Sequence, residues 1–64
     1  MHIQTIRRSG HFENVNTDTL ERKTGFDGPI DMAELFAHVV NCYSHEDWRL
    51  VDAQGAIVTE YEGI

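Results

Sequence analysis

An apolar stripe between residues 32 and 44 constrains the fold of this chain more than any other feature. Met32, Leu35, Phe36, Val39, Val40 and Tyr43 fall at i, i+3, i+4, i+7, i+8 and i+11, the spacing that gathers apolar side chains along one side of an α-helix. Asp31 stands at the N-cap position, and Glu34 three residues on has the spacing of a capping box. Ile30 and Leu35 have the spacing of a hydrophobic staple, and Pro29 lies upstream, where a missing N–H does no harm. These residues predict an amphipathic helix over about 32–44, roughly 18–20 Å long at 1.5 Å per residue. Such a helix folds only if another element buries its stripe.

The segment that follows supplies that element. Trp48-Arg49-Leu50-Val51 and Ala56-Ile57-Val58-Thr59-Glu60-Tyr61 are rich in β-branched and aromatic residues, as strands are. Between them, Asp52-Ala53-Gln54-Gly55 has Asp first and Gly fourth, as a type I turn prefers. Glu60 and Glu62 alternate with Thr59 and Tyr61, which predicts one solvated face on the last strand. In the first half, residues 3–8 read as a strand, Ser9-Gly10 as a turn and residues 11–15 as its partner. Residues 17–24 admit two readings. Asp18 and Glu21 have capping-box spacing and Gly25 could close a short helix, while Arg22 and Lys23 could equally guard a polar edge strand; the strand is the preferred reading. Residues 25–29 form a loop, with Phe26 folding back on the core. The expected fold is α+β: an antiparallel sheet of four to five strands with one helix packed on one face.

With 64 residues, the chain makes a single domain spanning 1–64 and buries only about 60% of the surface its unfolded form exposes. That leaves little room for a buried multi-layer active site, and it makes self-association into a homodimer an open alternative. The single cysteine, Cys42, excludes an intrachain disulfide. Residues 1–8 lack the apolar stretch of a secretory signal, and no apolar run approaches the roughly 20 residues that span a bilayer. A cytoplasmic chain is the expectation.

Eleven acids against five bases give a net charge of −6, with a pI near 4.9. A direct nucleic-acid binder needs a basic footprint, and so does a domain that adsorbs to anionic membranes. The charge is uneven. Arg7, Arg8, Arg22 and Lys23 against Glu13, Asp18 and Glu21 leave residues 1–23 at +1. Beyond them, Asp27, Asp31, Glu34, Glu46, Asp47, Asp52, Glu60 and Glu62 against Arg49 alone give −7. Asp31 and Glu34 suit a helix N-terminus, whereas Glu46 and Asp47 lie just past the helix, where its dipole disfavours them. Asp27, Glu46, Asp47, Asp52, Glu60 and Glu62 are therefore the candidate partner-binding residues, on a surface that would meet a basic groove. The same acids also serve as a solvated face that keeps a small domain soluble.

The histidines call for a metal check. His38, Cys42 and His45 fall at i, i+4 and i+7, within about 60° of arc if the helix continues through all three. With His2 or His11 as a fourth donor they could hold zinc, although no established metal motif supports the set. Cys42 and His38 could pair as an activated thiol, but hydrolases of that kind also need an orienting group, an oxyanion hole and a cleft. Ser44 and His45 point to different sides of a helix. Gly25 and Gly28 lack the lysine of a phosphate loop. Glu60 and Glu62 lie on one strand face about 7 Å apart. The reading is of a non-enzyme with no cofactor. Phe36, Tyr43 and Trp48 are assigned to the core, and Phe12 is the aromatic expected to be exposed.

The segment from Trp48 to Val58 resembles the Trp-x-Leu-Val-Asp-x-x-Gly-x-Ile-Val hairpin of many bacterial and phage domains, a pattern that specifies a turn and no activity. In size and acidity the whole chain is similar to the small inhibitors that bacteriophages encode against host defences, anti-CRISPR proteins among them. That resemblance implies a non-catalytic DNA mimic that occupies the basic groove of a larger, nucleic-acid-handling protein. It assigns no individual residue.

Overall fold

The computed structural model describes residues 1–6, 10–25 and 31–64. Its elements run β1 (His2–Ile6), β2 (Phe12–Asn14), α1 (Thr17–Thr24), α2 (Met32–Cys42), β3 (Trp48–Val51) and β4 (Ile57–Tyr61). The four strands form one antiparallel sheet in the order β2-β1-β3-β4. The fold is α+β, with a strand count inside the expected range.

The register sorts side chains between the two faces. Ile3 pairs with Leu50 and Thr5 with Trp48, so these four share a face. All four are buried there, and the apolar three join Leu35, Phe36 and Val39 of α2 and Leu20 of α1 in the core. Full burial of an aliphatic or aromatic side chain stabilises by about 1.5–3 kcal/mol each, so this one layer holds the domain together. Phe36 and Trp48 are in the core as expected. Tyr43 packs against it half-buried.

Helix α2 begins where the cap predicts, with the Asp31 carboxylate accepting from the Ala33 N–H at 3.0 Å. Its end at Cys42, with Tyr43 as C-cap, falls within two residues of expectation. Ile30 of the staple, Pro29, Phe26 and Asp27 lie outside the described residues.

Residues 17–24 overturn the preferred strand reading. They form α1, capped by Asn16, whose side chain accepts from Asp18 N–H at 2.9 Å and Thr19 N–H at 3.4 Å. Gly25 closes it at φ 71°, a left-handed conformation that glycine adopts without strain. Asp18 in the first turn and Arg22 and Lys23 in the last complement the dipole, so the bases read as edge guards are helix-end charges. Leu20 is the one buried residue of α1.

The β3–β4 turn forms as predicted. Gly55 N–H donates to Asp52 O at 3.0 Å, and the Asp52 carboxylate accepts from Gln54 and Ala56 N–H, both at 2.9 Å. The pairing steps from Leu50↔Thr59 to Val51↔Ile57, which leaves Val58 as a bulge. β4 is wetter than expected: Ile57, Val58, Thr59 and Glu60 are all exposed and only Tyr61 is half-buried.

Candidate functional site

The loop that follows α2 sets the geometry of the acidic candidates, and side-chain bonds hold it from several sides. Trp48 Nε1–H donates to Tyr43 O at 3.1 Å, satisfying a carbonyl at the C-terminus of α2. The Tyr61 hydroxyl donates to Ser44 O at 3.0 Å and the buried Thr5 hydroxyl to Asp47 O at 2.7 Å. Beyond β4 the chain folds back along this loop, with Gly63 N–H on Asp47 Oδ1 at 2.8 Å and Ile64 N–H on Ser44 O at 2.9 Å.

This scaffold brings three of the six acids together. Asp47, Glu60 and Glu62 line a shallow depression of about 200 Å3 with Ile6 and Phe12, over Trp48 and Tyr61. Glu60 and Glu62 are exposed, and no described residue forms a hydrogen bond or ion pair with either carboxylate. Glu46 lines a different, larger cleft of about 620 Å3 beside α1, with Lys23 also on its wall and Leu20, Val15 and Trp48 beneath. Asp52 lies at the far end of the hairpin, where its carboxylate is committed to the turn. Asp27 lies outside the described residues.

The sheet face away from the helices carries a polar network that sequence reading did not find. Asn14 Oδ1 accepts from Gln4 Nε2 at 2.8 Å, and Gln4 Oε1 accepts from Arg49 Nε at 3.1 Å. The Arg49 guanidinium lies 3.7 Å from the centroid of the Phe12 ring, within cation–π range. Phe12 is thus half-buried rather than exposed. Arg49 pairs in register with Glu60 on one side and Gln4 on the other, and its side chain is directed to the Gln4 side, away from β4. Alternation along each strand carries part of this signal, but the pairing of β1 with β3 across more than forty residues does not show in any local pattern.

His38 and Cys42 are both exposed on α2. The helix ends at Cys42, so His45 does not continue their arc; its Nδ1 instead lies 3.2 Å from Ile64 O. Among the described residues, no group of three or more His, Cys, Asp or Glu side chains is placed to hold a metal ion. No helix among them is long and apolar enough to cross a membrane.

No protein-family model, curated protein or solved structure matches the chain. The site is therefore read from its own chemistry: an acidic, partly apolar surface on a fixed scaffold.

Proposed function

We propose that this chain is a non-catalytic protein-binding module that docks its acidic surface on a basic groove of a larger, nucleic-acid-handling protein and blocks it. The observation that carries this reading is the convergence of Asp47, Glu60 and Glu62 around Ile6 and Phe12 at one end of the sheet. Carboxylates spaced along a rigid edge can stand in for the phosphates of a nucleic acid, while the apolar pair adds contact area at the centre of the patch. The glutamates are exposed, and among the described residues no cation is paired with either carboxylate. Likeness in size and charge to the small phage inhibitors agrees with this reading.

The test is affinity capture from a lysate of the source cells with the tagged chain, eluted along a salt gradient and compared with a Glu60→Lys/Glu62→Lys variant. The expected result is a nucleic-acid-binding protein that is released as salt rises, displaced by duplex DNA and lost with the double variant. Equal recovery by the variant, or failure of DNA to compete, overturns the proposal.

A further inference from the structure

The outer edge of β4 is the second feature of the acidic end, and it suggests how a basic partner would be gripped. Among the described residues β4 is a terminal strand of the sheet, and one row of its backbone N–H and C=O groups faces no strand among them. The opposite edge, β2, has three residues, whereas β4 has five. Edge strands are commonly guarded by lysine or proline, and the sequence from Ala56 to Ile64 contains neither. Ile57 and Val58 are 49% and 50% exposed. The bulge falls at Val58, and Thr59, Glu60 and Tyr61 keep an unbroken register with β3, so the part of the edge next to the acids is regular.

Charge selects the occupant. Glu60 lies within β4 and Glu62 one residue past its end, and the in-register cation, Arg49, is turned the other way onto Gln4 and Phe12. We infer that the free edge of β4 is a strand-addition site for an extended basic segment of the partner, with lysine or arginine at two positions two residues apart opposite Glu60 and Glu62. An added antiparallel strand would lie about 4.8 Å from β4, with its basic side chains about 7 Å apart, so that one falls opposite Glu60 and the other reaches Glu62 past the strand end. Read from its N-terminus, it would carry basic, any, basic, any and then apolar residues, the last reaching Val58 and Ile57. Backbone pairing supplies affinity in this mode and the alternate side chains supply the choice of partner. The inference rests on the protein-binding reading above and adds its geometry.

The probe is a capped peptide, Thr-Lys-Thr-Lys-Thr-Val-Thr, titrated into the isotope-labelled full chain and followed by NMR and amide exchange. Two further peptides carry N-methyl groups, one on both lysines and the other on the threonines between and beside them. The three have the same charge, but in an extended strand the two methylation patterns block opposite backbone edges. Strand addition predicts that the parent peptide slows exchange within residues 57–61 and that one methylated peptide binds about ten-fold or more weaker while the other matches the parent, as the loss of two or so hydrogen bonds implies. Equal binding by all three overturns the strand-addition inference and leaves the acidic-surface reading standing. Absence of binding by the parent also overturns it, and lysate capture then decides the broader reading separately. A β4 edge already protected in the free chain, with a dimer that tightens as salt rises, would assign the edge to a second copy and overturn the inference as well.

Discussion

Leu20→Ala isolates the contribution of α1. Of the eight residues of this helix, only Leu20 is buried, at 2% exposure, so its side chain is the main anchor of α1 on α2 and the sheet. An eight-residue helix does not hold by itself in water, because too few hydrogen bonds offset the cost of nucleation. Truncating a fully buried leucine costs about 2–5 kcal/mol, the spread reflecting how far the cavity collapses. At about 0.05–0.15 kcal/mol per residue, a domain of this size has roughly 3–10 kcal/mol in total. The substitution should therefore remove about a fifth of the stability at the least and lower the melting midpoint by about 10 °C or more. Asn16→Ala, which removes only the N-cap bonds to Asp18 and Thr19, should cost about 1 kcal/mol. Urea unfolding followed by far-ultraviolet circular dichroism measures both. A Leu20→Ala loss no larger than that of Asn16→Ala would mean that α1 is not docked through Leu20, and the argument for its place in the core would fail.

A double-mutant cycle on Arg49→Met and Phe12→Leu should return a coupling of about 0.5–1 kcal/mol, the value of a partly exposed cation–π pair; additive losses in urea unfolding would refute the contact. Gly63→Ala should lift the chain end. A Cβ there would meet His45 O at 2.6 Å and Glu46 C at 2.9 Å, both backbone atoms, so the bonds to Asp47 and Ser44 should be lost, with faster exchange of the Ile64 amide and a stability loss of about 1–2 kcal/mol. Unchanged exchange at Ile64 would refute the docking.

What was legible in the sequence follows the range of the interactions concerned. The stripe of α2, the Asp31 cap and the turn from Asp52 to Gly55 are set by residues within one or two turns of each other, and local spacing was enough to read them. The helix at 17–24 was the less favoured of two readings, although Gly25 was read as its possible close. Its N-cap, Asn16, lies one residue before the stretch considered, and the burial of a single leucine shows in no periodicity when the other residues are mostly polar. Of the acidic candidates, sequence reading treated six charges as one surface. The fold separates them, because Asp47 and Glu62 meet only when β4 pairs beside β3, while Asp52 is carried to the other end of the same hairpin and Glu46 faces the cleft beside α1. Phe12 and Ile6 joined the site for the same reason: their place beside the acids depends on strand order.

Side-chain length explains which acids are left to meet a partner. An aspartate or asparagine carboxyl or amide oxygen sits close enough to its own backbone to accept from N–H groups two to four residues on. Asn16, Asp31 and Asp52 all do this, and Asp47 uses the same reach across to Gly63. The extra methylene of glutamate makes that closure less favourable, and Glu46, Glu60 and Glu62 remain exposed. Among these acids Asp31, Asp52 and Asp47 fix a cap, a turn and the tail, while Glu46, Glu60 and Glu62 provide the field beyond the surface. Exchanging Glu60 and Glu62 for aspartate would keep the net charge while drawing the carboxylates back toward β4. A partner that reads only overall charge would not notice the change, whereas one that seats cations beside the strand would lose contact with both.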